Sequence, residues 1–121
     1  MHYKVNSIRP FIGAKNFEES RNFYFDLGFD ETVLAHNMSY FKTACIGFYL
    51  QDAYVKDWIE NSMIFLEVDN VEEFWSKLVT LNLTTKYTNV KIVPIKTLDW
   101  GKECFIHDPS GILWHIGEFT K

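Results

Sequence analysis

The chain has 121 residues, room for one ordinary domain and too few for two full-sized ones. Apolar residues make up 47% and charged residues 23%, a balance that fits a packed core and excludes a disordered chain. Net charge is −4, so a phosphate backbone is repelled and general nucleic-acid binding is excluded, whereas a cationic ligand is attracted.

Strand-like and helical segments follow in chain order. An apolar run from Ile8 to Ala14 is short enough for a strand. Asn16 then suits a helix N-cap, with Glu19 at the capping-box position. Phe17, Ser20, Phe23, Tyr24 and Leu27 mark one helical face, and Gly28 closes the helix because it takes positive φ readily. Thr32–Ala35, Ser39–Lys42 and Ile46–Leu50 read as three strands. Residues 51–62 read as a linker, where Asp52, Asp57 and Glu60 outnumber Lys56.

The pattern then repeats. Met63–Val68 is the next strand, followed by Asn70, Glu73 and a face of Val71, Phe74, Trp75, Leu78 and Leu81, closed by Asn82. Three strands follow over Val90–Ile95, Glu103–His107 and Leu113–Glu118, with the turn Asp108-Pro109-Ser110-Gly111 between the last two. Segments 16–29 and 70–83 lie 54 residues apart and share Asn, Glu, Glu and Leu in register. The organisation is thus a strand–helix–three-strand unit written twice in one domain over 1–121. The first module spans about 5–50 and the second 63–119. Helices on only one face leave each sheet a second face to bury, which two curled sheets can do around a shared cavity. Rings amount to 17% of the chain, more than so small a core absorbs, and some should line a pocket or an interface.

Several readings concern what is absent. No run approaches the roughly eighteen apolar residues of a membrane span, and Met1-His2-Tyr3-Lys4-Val5 lacks the apolar core of a signal peptide, so a cytoplasmic protein is expected. Cys45 and Cys104, far apart in apolar surroundings, are expected as buried free thiols. Neither a nucleophile constellation nor a phosphate-binding glycine loop occurs.

Asn16-Phe17-Glu18-Glu19-Ser20, Phe23-Tyr24, Leu27-Gly28-Phe29 and Asp108-Pro109-Ser110-Gly111, set in tandem modules, resemble the vicinal oxygen chelate superfamily of glyoxalases, extradiol dioxygenases and bleomycin-resistance proteins. The resemblance implies an α+β fold of tandem βαβββ modules around a cavity. It also locates that superfamily's metal-ligand positions at Arg9, Met63, His115 and, in the first half, Phe48. A guanidinium has no lone pair to donate, a thioether is too soft for a hard divalent ion, and one His falls short of the about three ligands of a catalytic metal site. Metal catalysis is therefore disfavoured, and no metal or other cofactor is expected.

The segment Asp99-Trp100-Gly101-Lys102-Glu103, its spacing to Asp108-Pro109, the ending Gly117-Glu118 and Pro10 resemble the bleomycin-resistance branch. That likeness implies a homodimer, with the first strand exchanged around a proline hinge, that sequesters a flat, cationic drug without chemistry. Trp100 would then stack on the ligand with Met38 or Tyr40 opposite, and the acidic linker with Asp99 or Glu103 would supply attraction. Arg9 would bring positive charge into the cavity, offset by an acid such as Glu67. Phe48, Met63 and His115 would complete the wall. The enzymatic alternative is a divergent metal-dependent lyase or dioxygenase of the glyoxalase type.

Overall fold

The computed structural model describes residues 2–121. Its elements are β1 (Phe11–Gly13), α1 (Phe17–Leu27), β2 (Asp30–Ala35), β3 (Met38–Thr43), β4 (Ile46–Gln51), α2 (Lys56–Glu60), β5 (Met63–Glu67), α3 (Val71–Thr80), α4 (Leu83–Lys86), β6 (Lys91–Leu98), β7 (Gly101–His107) and β8 (Leu113–Phe119). Two four-stranded sheets result, ordered β1-β4-β3-β2 and β5-β8-β7-β6. In each, the first strand runs parallel to the last and the remaining pairs are antiparallel. This is the duplicated α+β unit read from the sequence.

The two helix starts behave alike. The Asn16 side chain accepts the Glu19 N–H at 3.1 Å, and that of Asn70 accepts the Glu73 N–H at 3.0 Å. Gly28 sits at φ 110° and closes α1, while Asn82 at φ 53° ends the second helical stretch and leads directly into α4. A further carboxylate supports α3, where Glu118 of β8 accepts the Val71 N–H at 2.9 Å beside the positive end of the helix.

Three segments differ from expectation. The first strand covers only Phe11–Gly13 rather than Ile8–Ala14, because Pro10 has no N–H to give a ladder; its carbonyl accepts the Tyr49 N–H at 2.9 Å and pairing stops there. Residues 51–62 contain α2, which Ile59 anchors by burying its side chain completely. Cys45 is exposed, because Ala44 and Cys45 form the tip of the β3–β4 hairpin, with Ala44 at φ 50°. Cys104 is buried as expected, and burial pushes its thiol up to about 11, leaving it protonated and unreactive at neutral pH.

The core lies on the helix side of both sheets. Phe23, Tyr24, Phe29, Phe41, Phe48 and Trp114 join in one cluster across the modules, with ring centroids 4.9–6.1 Å apart along the pairs. A polar chain crosses this cluster. Trp114 Nε1 donates to the Tyr24 hydroxyl at 3.0 Å, and that hydroxyl donates to Asp108 Oδ2 at 2.6 Å. Asp108 Oδ1 accepts the N–H groups of Ser110, Gly111 and Ile112, each at 2.9 Å, which fixes the turn. Burial holds the Asp108 carboxyl above its usual range against the downward pull of these donors.

Replacing Tyr24 by Phe removes the hydroxyl that both partners share and strands the Trp114 N–H and one Asp108 oxygen in the core. The expected loss is about 2–4 kcal/mol, read as a lower urea midpoint at unchanged slope; a shift below about 1 kcal/mol would contradict this account. A second prediction concerns Glu31. Burial pulls its carboxyl upward, but hydrogen bonds from Arg21 and Ser39, with the Arg21 charge, leave it below its ordinary 4.5. A group depressed on folding stabilises the fold above its unfolded value and ceases to do so as acid protonates it. Urea midpoints measured from neutral pH to below pH 4 should fall less steeply for Glu31→Gln than for the parent chain.

Candidate functional site

Each sheet has one face on the core and one open. Strand alternation and register decide which residues stand on the open face. On the first sheet Phe11 pairs with Tyr49 and Tyr49 with Tyr40; on the second Phe65 pairs with His115 and His115 with Phe105. The 54-residue offset relates Phe11 to Phe65 and Arg9 to Met63, so the counterpart of His115 is Tyr49.

Phe48 is therefore not a wall of the open face. It is the counterpart of Trp114, is buried, and packs against Tyr24 and Phe41. The first half has only a two-residue hairpin where the second has Asp108-Pro109-Ser110-Gly111, so counting from a turn slips by one. A slip of one residue reverses the face. The four matching open-face positions thus carry Arg9, Tyr49, Met63 and His115.

The sites inferred from sequence divide between the sheets. Met38 and Tyr40 belong to the first, and Arg9 lies against it just before β1. The Arg9 guanidinium lies 4.3 Å from the Tyr40 ring centroid, and its Nη1 donates to the Tyr49 hydroxyl at 3.0 Å. Glu67 does not neutralise it, since no carboxylate comes within ion-pairing distance of Arg9 among the described residues. That hydrogen bond holds the guanidinium above its ordinary value.

Met63, Glu67, Trp100, Glu103 and His115 belong to the second sheet. His115 Nδ1 lies 2.8 Å from Glu103 Oε1, and Nε2 lies 3.5 Å from Met63 Sδ. Glu103 is only 8% exposed and committed to His115, so it is not the free carboxylate that the sequence suggested. Trp100 is 38% exposed at the tip between β6 and β7, packed on Phe65 at 5.8 Å and Phe119 at 5.4 Å. Within one chain Trp100 faces neither Met38 nor Tyr40. His107 ends β7, in register with Leu113.

Sequence reasoning missed Phe11, Tyr49, Phe65 and Phe119. Phe11 stacks on Tyr49 at 4.6 Å and Phe65 on Phe119 at 5.5 Å, so each open face carries a tier of rings. Two glycines seat those tiers. A side chain at Gly47 would strike Tyr40, and one at Gly117 would strike Phe65. Glycine in a strand opposite an aromatic residue is a signal that the sequence offered. A cavity of about 370 Å³ lies elsewhere, at the seam between modules near Phe29, Cys45, Leu66 and Phe74.

This geometry can hold flat molecules by stacking and can present charge, but among the described residues no three His, Cys, Asp or Glu side chains converge as an ion site requires. No helix of the described residues is long and apolar enough to cross a membrane.

No family model and no curated protein matches the sequence. Solved structures do match. A bleomycin-binding protein from bleomycin-producing Streptomyces verticillus, complexed with copper(II)-bleomycin, superposes with a TM-score of 0.83 at 16% identity, over 98% of this chain and 100% of that one. A bleomycin resistance determinant encoded on the transposon Tn5 gives 0.82 at 16% identity, over 97% and 100%. A lactoylglutathione lyase from Agrobacterium tumefaciens gives 0.72 at 16% identity, over 96% of each chain. The chain has the fold of the bleomycin-resistance and glyoxalase proteins, as its sequence resemblance implied.

Gly117→Ala tests the seat under Phe65. The added methyl should displace that ring and loosen Trp100, shifting tryptophan emission to the red while the unfolding free energy from urea titration changes by less than about 1 kcal/mol. Unchanged emission would mean that Phe65 does not hold Trp100 in place.

Proposed function

We propose that this protein is a non-catalytic binding protein that sequesters a flat ligand with a cationic group, in grooves where the open sheet faces of two copies meet. The observation that carries this reading is the exposed ring tier Phe65–Trp100–Phe119 on one sheet, matched by Phe11–Tyr49–Tyr40 on the other. Phe65 is 43% exposed and Phe119 46% in a single chain, and rings so placed gain free energy when a ligand or a second chain covers them. Asp99 beside Trp100 and Glu67 on β5 supply negative charge at that end of the groove.

Dimer formation through an exchanged first segment is supported by residues 2–9, which lie outside every helix and strand, and by Ile8, which is 91% exposed before Pro10. The likeness to a bleomycin-binding protein complexed with bleomycin agrees with this reading. A glyoxalase-type reaction is opposed by the four open-face positions. A guanidinium, a phenol and a thioether beside one imidazole make a poor donor set for a hard divalent ion.

Tryptophan-fluorescence titration with bleomycin is the direct test. Quenching should saturate, weaken in Trp100→Ala and weaken as salt rises. A titration without quenching, or one indifferent to Trp100, would remove bleomycin-like ligands from this reading. Sedimentation velocity should give a dimer, and deletion of residues 1–9 should shift it toward monomer; an unchanged dimer would rule out the exchanged segment.

A further inference from the structure

The first sheet's open face carries a charge that the fold leaves unneutralised. The chain has two arginines. Arg21 is saturated, with Nε and Nη2 on Glu31 at 2.6 and 3.2 Å and Nη1 on Glu18 at 2.6 Å. Arg9 spends one N–H on a neutral phenol and lies over the ring of Tyr40, which holds its planar fork in one orientation. Lys42, two residues beyond Tyr40 on the same face of β3, also has no carboxylate within ion-pairing distance among the described residues. Arg9, Tyr40 and Lys42 line one cavity of about 250 Å³, with Asn6 and Ser7 adding amide and hydroxyl groups.

In a chain of net charge −4, two cations left facing one cavity mark a place where an anion is welcome. We propose that this cavity is an anion subsite of the groove, which takes the carboxylate or phosphate of a flat aromatic ligand whose ring lies against Tyr40 and Tyr49. This rests on reading the groove as a ligand site; with the first segment exchanged, Asn6, Ser7 and Arg9 of a second copy complete the same cavity. The guanidinium fork suits such a group because it offers paired N–H donors in one plane, and Lys42 adds a point charge. Together with Glu67 and Asp99 on the second sheet, the subsite polarises the groove along its length. A ligand bearing opposite charges at its two ends then binds in one direction only.

The test compares 2-naphthoate with 2-naphthalenemethanol, which share a ring system and differ in charge, by calorimetric titration of the whole protein. Charge-assisted hydrogen bonds should make the naphthoate bind about tenfold tighter or better. Added salt should weaken the naphthoate alone. Arg9→Gln should abolish the preference, bringing the two affinities together, Arg9→Lys should keep part of it, and Lys42→Gln should reduce it by a smaller factor. Equal affinities in the parent protein, a preference that survives Arg9→Gln, or no binding of either compound would overturn the subsite. So would dissociation of the dimer by Arg9→Gln without anion binding, since the guanidinium would then serve a carboxylate of a second copy. The two readings separate cleanly. Bleomycin binding through Trp100 with no naphthoate preference removes only the subsite. An Arg9-dependent preference without bleomycin binding keeps the subsite and removes the proposed ligand class.

Discussion

The Tyr24 hydroxyl joins the two halves of this molecule. It comes from α1 of the first module, accepts a hydrogen bond from the Trp114 N–H on β8 and donates one to Asp108 at the start of the last turn. Both partners are buried, so the hydroxyl can move nowhere without leaving a polar group unpaired. No buried side-chain nitrogen or oxygen among the described residues is left without a partner, and around Tyr24 that condition holds only in one relative arrangement of helix, turn and strand. The surrounding rings supply the burial, while the hydrogen bonds select the arrangement.

That arrangement has a consequence on the opposite side of both sheets. With the helix-facing surfaces of the two modules buried against one another, the remaining faces point outward and carry rings. In a soluble β-layer such positions ordinarily alternate to polar side chains. Here Phe11, Tyr49 and Tyr40 occupy one face and Phe65, Phe105 and Phe119 the other, with Gly47 and Gly117 leaving space beneath two of the rings. A glycine in a strand interior weakens the strand, so its presence under an aromatic plate indicates that the plate's position matters more than the local stability.

The duplicated plan was legible because it is written in short-range chemistry. Asn at the cap, Glu three residues later and a residue tolerant of positive φ at the end each act within one helical turn, and both copies fold as read. The face of a strand is harder to read. Its period is two, and fixing it needs an anchor; the second half has one in the Asp108 turn, whereas the first has only the Ala44–Cys45 tip. Phe48 and Tyr49 are both aromatic, so composition could not choose between them, and the pairing of Phe11 with Tyr49 did. Cys45 misled for a related reason, since its apolar neighbours Ala44 and Ile46 belong to a turn tip and a strand end rather than to the core. Glu103 read as a carboxylate free to attract a ligand because its partner His115 is twelve residues away, across a strand pairing that sequence spacing does not display.

The two modules keep one backbone plan but have parted in chemistry where they match most closely. Arg9 and Tyr49 in the first correspond to Met63 and His115 in the second, and in each pair the two side chains touch. The first pair is cationic at every accessible pH, because a guanidinium does not titrate there. The second pair places its imidazole against a buried carboxylate on one side and a thioether on the other, and carries no fixed positive charge. If these faces meet across a pair of chains, the groove between them has unlike walls, one cationic and one lined by acids and a half-exposed indole. A duplicated, quasi-symmetric fold thereby yields an asymmetric binding surface. Side-chain differences at these two matched positions, with the acids and indole beside the second, make that change, because the strands beneath them are held in register by the core and need not move.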